Sequence, residues 1–533
     1  MGVLCCRVHY FLLLVVVVVV VASLKPSPVY DIGIVGAGIG GLCAGALLSK
    51  YGKKVVVCES HDVVGGCAHA FRRGKYVLDS GPSLWAGCSV PSTNPLRQVM
   101  DAVGCEVEWT TYDGWGMHEV ATGRRWRMTT GETDPEIRAL LRRIDPIVDA
   151  AMACPPMALR LDPLGFAATA LVPYLLPAVA MASARFGAFV PEVLTGPASR
   201  LGEGVWLDYL SFAISGYPAD RTVGAALAYT LGDLYHENAY LDYPVGGSGA
   251  VAEALADKIV ELGGEVRLGT HVDEIIVEGG RATGFRLGDH SVVRASTVIS
   301  NADAWTTAAL VGKDREWQGR MDATPEAPSF VHLWVGFDGV RIPDDLDVHH
   351  SVFNLEYSSA LIDAPENMHI ISIPSLFDRS LSPPGKHVAH VYAAANEPYD
   401  AWVGLSASEY AAKKEKAAEP LWTALEQVVP DVRKRAELVV VGTPLAHARF
   451  NRRYRGSYGP AFGHFQDGRT PYPNLFTVGD SNFPGIGVPA AAASAILVAN
   501  SLVPVRDHAR LLDVMRRNGT LCAGKSPHHA IEQ

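Results

Sequence analysis

Residues 34–48 read IVGAGIGGLCAGALL, and the architecture of the chain follows from this stretch. It follows YDIGIV at 30–35, a short strand-like run, and continues as GLCAGALLSKYG, a helix that Gly52 ends. KKVVVC at 53–58 then reads as a second strand, so the segment is a right-handed strand–helix–strand unit. Gly36, Gly38 and Gly41 fall at the dinucleotide-binding spacing, with Gly40 as a further glycine inside the turn. The first glycine allows the tight turn, the second lets backbone approach a pyrophosphate, and the third lets helix and strand pack closely. The helix N-terminus presents free N–H groups and a partial positive charge to a diphosphate. Glu59 ends the second strand 18 residues after Gly41. An acidic side chain there accepts hydrogen bonds from ribose hydroxyls and repels a 2′-phosphate, which disfavours NADP. The turn alone still leaves NAD, FAD or an empty bend.

Two distant features favour FAD. Gly65–Gly66 supplies a second glycine pair near the diphosphate, and LDSGPSLW at 78–85, with Asp79 and Gly81, would begin the return toward a flavin. Near the other end, LFTVGDSNFPGIGV at 475–488 places Gly479 and Asp480 after a strand. Asp480 would hydrogen-bond a ribityl chain or the diphosphate edge through water. A helix starting at Val488 would aim its N-terminus at the pyrimidine side of the flavin ring and stabilise negative charge there. A nicotinamide enzyme has no use for such a half-site.

The chain has 533 residues, enough for a large two-domain enzyme, with nearly half of them apolar and a formal net charge of −10. Without a basic stripe, nucleic acid is excluded as the expected partner. Nine scattered cysteines make no C-x-x-C pair, so neither a metal site nor a disulfide framework is expected. Residues 1–22 contain an unbroken apolar run from Tyr10 to Ala22 and read as a signal peptide, cleaved before Ser23, or an uncleaved signal anchor.

The fold class expected is α/β: a Rossmann-type FAD-binding domain built from the discontinuous segments 30–116, 240–309 and 441–505. An inserted α+β substrate and membrane-contact domain takes 117–239 and 310–440, and 506–533 is a polar tail. The region from Met117 to Asp242 reads as less regular, and a polar helix is expected from Ser406 to Val429. Pro163 to Ala184 carries no charge. Pro173 and Pro177 would break a spanning helix, so this stretch reads as buried or membrane-dipping.

From about Tyr30 to Val503 the chain resembles the phytoene desaturase-like FAD family, and within it the carotenoid cis–trans isomerases (prolycopene isomerases) of plants and cyanobacteria. The motifs, in order, are IVGAGIGGLCAGALL, VVVCESHDVVGGCAHAF, DSGPSLWAG, YPVGGSGAVAEAL, STVISNADAW, VGTPLAHARFNRRYRGSYGP and VGDSNFPGIGV. Retinol saturases resemble the first two. The chain departs from the isomerases at Cys67, where they carry Ala, and at Asn482 and Ile486, where they carry Cys and Gln. The resemblance implies FAD on Gly36, Gly38, Gly41, Glu59, Gly65, Gly66, Gly479 and Asp480, and an apolar polyene in a long tunnel over the flavin. The implied reaction is isomerisation of a carotenoid by reduced flavin without net redox. The alternatives are a desaturase or saturase using a partner such as a quinone, a xanthophyll-modifying enzyme, or a membrane-bound flavin-binding scaffold without turnover. An insoluble carotenoid must be collected from a membrane surface. An N-terminal signal implies endomembrane entry, reconciled with carotenoid chemistry by an algal plastid reached through the endoplasmic reticulum.

No residue is forced into the role of catalytic acid or base; no Ser-His-Asp set or carboxylate pair is visible. His69 reads as diphosphate-proximal or structural. The pairs at 349–350 and 528–529 point only weakly to metal, because neighbouring strand residues face opposite ways. Arg449, Arg452 and Arg455 form a basic patch or a solvated turn.

Overall fold

A computed structural model describes residues 30–131, 135–186, 189–236, 239–393 and 397–524. The expected signal segment at 1–22 and the pair at 528–529 lie outside the described residues. Tyr30–Val35 and Val55–Cys58 pair in parallel on either side of the helix Ile39–Lys50, as the glycine turn requires. The sheet runs Glu265–Arg267, Val55–Cys58, Tyr30–Val35, Val292–Ser300, Arg281–Leu287, Val272–Glu278, and Leu475–Thr477 joins it in parallel beside Val292–Ser300. Three distant parts of the chain therefore complete one sheet. All four residues of Val55–Cys58 are buried, because this parallel strand is covered on both faces.

The helix Ile39–Lys50 is buried along its length from Ile39 to Ser49. It packs against the helices Ser248–Glu261 and Val488–Ser501, and its small residues let them approach. At Gly45 a Cβ would lie 2.9 Å from the Ile259 side chain.

A second sheet runs Ala436–Gly442, His332–Asp338, Lys386–Ala393, Met368–Ser372, His349–Phe353, Gly114–Glu119, Arg125–Thr129. Its period-two pattern separates two faces. Leu333, Val335, Phe337 and Val391 pack with Trp422 and Leu425 of the helix Ala407–Val428. His332, Trp334, His390 and Tyr392 stack with one another on the other face. The helix fulfils the expectation for Ser406 to Val429 and opens with a Ser406–Glu409 capping box.

The structure differs from the sequence reading in several places. Gly114–Glu119 and Ala436–Gly442 both belong to the second sheet, so the expected boundaries at 116/117 and 440/441 cut through strands. The stretch expected to be less regular holds the helices Pro135–Met152, Val205–Ser215 and Gly224–Tyr235. The stretch expected as a polar tail starts as the helix Val505–Arg517, with His508, Leu511, Leu512 and Met515 buried. Residues beyond that helix also pack back: Gly524 N–H donates to the Met152 carbonyl at 2.7 Å.

Pro163–Ala184 is one continuous apolar helical stretch rather than a broken one. Ala167–Leu175 is wound as a π-helix, with Pro173 inside it. The wider turn accommodates the missing N–H and the ring, which a regular α-helix would not. Thr169, Ala170, Ala178 and Ala182 face inward, whereas Leu164 is 87% exposed and Met181 68%. Of the two expected readings, buried or membrane-dipping, the outer face departs from the first.

Candidate functional site

The glycine turn opens into a cavity of about 1350 Å³ that extends from Gly36, Gly38 and Gly40 past Glu59, Gly65 and Gly66 to Gly479, Asp480 and Val488. It continues between the second sheet and the helical region, along Ile370, Leu210, Phe212, Ala226 and Leu234. A volume above the roughly 300–1,000 Å³ of a typical single-ligand pocket accommodates two ligands end to end or face to face.

The turn is crowded for a reason that the sequence does not reveal. Gly36 holds φ +93, a left-handed conformation suited to glycine. Asn301, at the end of Val292–Ser300, fills the space behind the turn. A Cβ on Gly38 would lie 2.5 Å from Asn301 Nδ2, and one on Gly40 would lie 2.6 Å from Asn301 Oδ1 and 2.8 Å from Gly479 N. Gly41 packs against the Gly36 carbonyl. Gly38 and Gly65 form a parallel bridge, and a Cβ on Gly66 would meet Gly38 Cα at 3.1 Å. The two glycine pairs and the C-terminal Gly479 thus form one clasp. No side chain caps the helix beginning at Ile39, nor the one beginning at Val488. Both present N-terminal backbone to the cavity.

Glu59 lines the same cavity. One carboxylate oxygen accepts from Ala37 N–H at 2.7 Å and the other from His61 N–H at 2.8 Å. Ser60 Oγ also donates to Oε1 at 3.4 Å, so these bonds fix the orientation and Oε2 keeps a lone pair for a further donor. Asp480 is ion-paired with Arg453, Nη1 to Oδ1 at 2.8 Å. Arg453 Nε donates to the Ser457 carbonyl at 2.8 Å, but its Nη2 is buried without a partner among the described residues. Arg453 lines the cavity, although the sequence singles out its neighbours instead. Of those neighbours, Arg449 and Arg452 line one small pocket beside Ser60 and His61, while Arg455 is drawn apart by Glu326 and Asp400 at 2.5 and 2.6 Å.

The stretch LDSGPSLW reaches the cavity through Gly81, Pro82, Ser83, Leu84 and Trp85, while Asp79 anchors its start. Asp79 is buried, accepts from the Tyr243 hydroxyl at 2.5 Å and from Ser248 N–H and Oγ at 2.8 Å each, and its carbonyl accepts from Trp334 Nε1 at 2.7 Å. It therefore ties the helix Ser248–Glu261 to the second sheet. Burial raises its carboxyl above the ordinary range despite these bonds. His69 also lines the cavity, with Nδ1 within 2.7 Å of the Gly66 carbonyl.

The cavity face of the second sheet carries buried neutral histidines. His332 Nδ1 and His390 Nε2 are 2.8 Å apart, and the His447 ring lies 4.8 Å from that of His332. Burial lowers all three, His390 to about 3 and His447 to about 4, so they are uncharged at neutral pH. His332, Tyr392 and Tyr458 line the cavity. The pair at 349–350 divides as a strand requires: His349 stacks on Tyr112 and His350 Nδ1 meets His118 Nε2 at 3.1 Å. Among the described residues no group of three or more metal-ligating side chains converges.

Comparison with known proteins gives a consistent result. The profile of the flavin containing amine oxidoreductase family matches residues 39–503. The chain is 29% identical to the chloroplastic prolycopene isomerase of Daucus carota over 525 residues, covering 90% of this chain and 80% of that protein. It is 26% identical to the neurosporene-forming phytoene desaturase of Rhodobacter capsulatus, covering 88% of this chain and 93% of that protein. In fold it is similar to an oxidoreductase from Methanosarcina mazei, with a TM-score of 0.60 at 18% identity, covering 87% of this chain and 98% of the other.

Proposed function

The chain belongs to the flavin containing amine oxidoreductase family and is an FAD enzyme of the carotenoid-related kind, and we propose that it isomerises cis double bonds of a carotenoid polyene, of the prolycopene type, without net redox. The observation that carries this reading is the cavity, which joins the glycine clasp to a mostly apolar enclosure along Leu210, Phe212, Ala226, Leu234 and Ile370.

The residues of the clasp fit FAD. In this reading Gly36, Gly38, Gly40 and Gly41, with the helix start at Ile39, hold the diphosphate, backed by Gly65 and Gly66. Glu59 receives the ribose hydroxyls. Gly479 and the Arg453–Asp480 pair face the ribityl and ring portions, and the helix start at Val488 faces the ring's pyrimidine side. The orphaned Arg453 Nη2 supports the assignment, since a buried guanidinium donor without an acceptor costs about 1–3 kcal/mol and a flavin oxygen or phosphate would satisfy it. FAD, when bound and reduced, supplies electron density to a conjugated chain. The protein excludes water, holds the polyene against one face and keeps His332, His390 and His447 uncharged, so that these three side chains add no positive charge beside the polyene.

A polyene reaches the cavity from a bilayer. The stretch Pro163–Ala184 supports membrane contact: its outer face exposes Leu164, Val172, Leu176 and Met181, while Phe166 and Leu175 line the cavity from within. Endomembrane entry and an algal plastid as final location complete the proposal.

The test is anaerobic. The flavin is reduced, a cis-carotenoid is added without another electron acceptor, and the trans product should appear at unchanged mass. No isomerisation under any reduced condition overturns the reading. A quinone-dependent change of two hydrogens would establish instead a desaturase or saturase, the reading favoured by the similarity to phytoene desaturases. Expression in bacteria that accumulate cis-lycopene, with pigment analysis, gives the same answer in cells.

A further inference from the structure

The helix Gly224–Tyr235 turns Ala225, Ala226, Tyr229, Thr230, Asp233 and Leu234 toward the cavity. Tyr229 donates its hydroxyl to the Thr93 carbonyl at 2.9 Å, and Thr230 donates to the Ala226 carbonyl at 2.9 Å. Asp233 differs from both: its carboxyl has neither a hydrogen bond nor an ion pair among the described residues. The groups around it offer none. Asp242 is engaged through Oδ2 with the N–H groups of Cys88 and Ser89 at 2.6 and 3.2 Å. The Cys88 thiol donates to the Ala86 carbonyl. Arg97, the cation that Cys88 and Asp242 sense, is paired with Asp101 at 2.6 Å. Burial and the neighbouring Asp242 push the Asp233 carboxyl up to about 7.

A carboxyl left bare on an apolar wall is costly when nothing replaces its water. A hydrocarbon filling the cavity would displace that water and offer no partner. An alcohol on the end of the ligand would satisfy the group in either protonation state, donating to the carboxylate or accepting from the acid. We propose that Asp233 recognises a hydroxyl on the end of the polyene, so that the cavity takes a hydroxylated polyene in preference to the hydrocarbon of the same skeleton. This inference rests on the reading of the cavity as a polyene site, and it replaces the hydrocarbon prolycopene with a hydroxylated polyene as the preferred ligand.

The experiment uses the full-length, FAD-loaded protein in detergent micelles, titrated with β-carotene and with zeaxanthin, the same skeleton bearing a hydroxyl on each ring. Tryptophan quenching and the circular dichroism induced in the polyene report binding. Zeaxanthin should bind about tenfold more tightly, the worth of one hydrogen bond to a buried carboxyl. Asp233→Leu should bring the two affinities together, and Asp233→Asn should retain most of the preference. Equal binding by the wild type, which needs no variant to fold, overturns the inference and leaves the polyene reading standing. A preference that persists in Asp233→Leu also overturns it. Failure of both polyenes to bind the flavin-loaded wild type overturns the polyene reading, and the inference with it.

Discussion

Arg453 reaches Asp480 with one guanidinium nitrogen, Nη1 at 2.8 Å from Oδ1, and holds the other, Nη2, buried with no partner among the described residues. The pair fixes a planar donor at the cavity wall and leaves its second prong for a ligand. Arg453→Gln should weaken FAD binding at least about tenfold, read by flavin fluorescence during dilution. Arg453→Lys should recover little, because a single ammonium cannot serve Asp480 and a flavin acceptor in the same fork geometry. Unchanged FAD affinity in both variants would remove Arg453 from the cofactor site.

The clasp makes a graded prediction. Gly40→Ala drives a methyl to 2.8 Å from Gly479 N, a backbone atom that cannot step aside. Gly38→Ala collides chiefly with Asn301 Nδ2, the far end of a side chain. Both should lose flavin and stability by about 1–3 kcal/mol. Asn301→Ala should restore much of the loss in Gly38→Ala and little in Gly40→Ala. Thermal melts with flavin-release monitoring would check this, and equal rescue of the two would contradict the geometry.

Val172→Asp, Leu176→Asp and Met181→Asp together should abolish flotation with liposomes. Each site is exposed, so stability should change by less than about 0.5 kcal/mol per substitution. Retained flotation of the triple variant, produced as a chain starting at Ser23, would assign membrane contact elsewhere.

The histidines of the second sheet set an acid limit. Their folded pKa values lie below the unfolded one, so the unfolded chain binds more protons between the two. Stability from this cluster is full above pH about 6.5 and falls as pH drops toward 4, by up to about 1.4 kcal/mol per pH unit for each histidine. His390→Gln should flatten the slope of unfolding free energy across that window. Asp233 acts with the opposite sign: its folded pKa of about 7 lies above the unfolded value, so its contribution falls as pH rises from about 4 to 7. Asp233→Asn should therefore stabilise more at pH 8 than at pH 4, measured by denaturant titration.

Much of this is legible in the chain because it is local. The strand–turn–helix at 30–50 carries its periodicity, its glycines and its stop within a short window, and the helix at 407–428 carries its capping box. Asn301 and Arg453 lie inside recognisable motifs, yet their roles depend on contacts with Gly38 and Asp480 that no local pattern encodes. The anchoring role of Asp79 is hidden for the same reason: its partners Tyr243, Ser248 and Trp334 arrive from far along the chain. Pro173 breaks helices under a rule for α-helices, which a π-helical stretch does not obey.

Gly40 and Gly479 touch although more than four hundred residues lie between them. During synthesis the first half of the clasp leaves the ribosome early and waits for almost all of the remaining chain before its counterpart emerges. Closure of the clasp is thus a late event in the life of each molecule, and a nascent chain halted before residue 479 carries a glycine turn with nothing to close it.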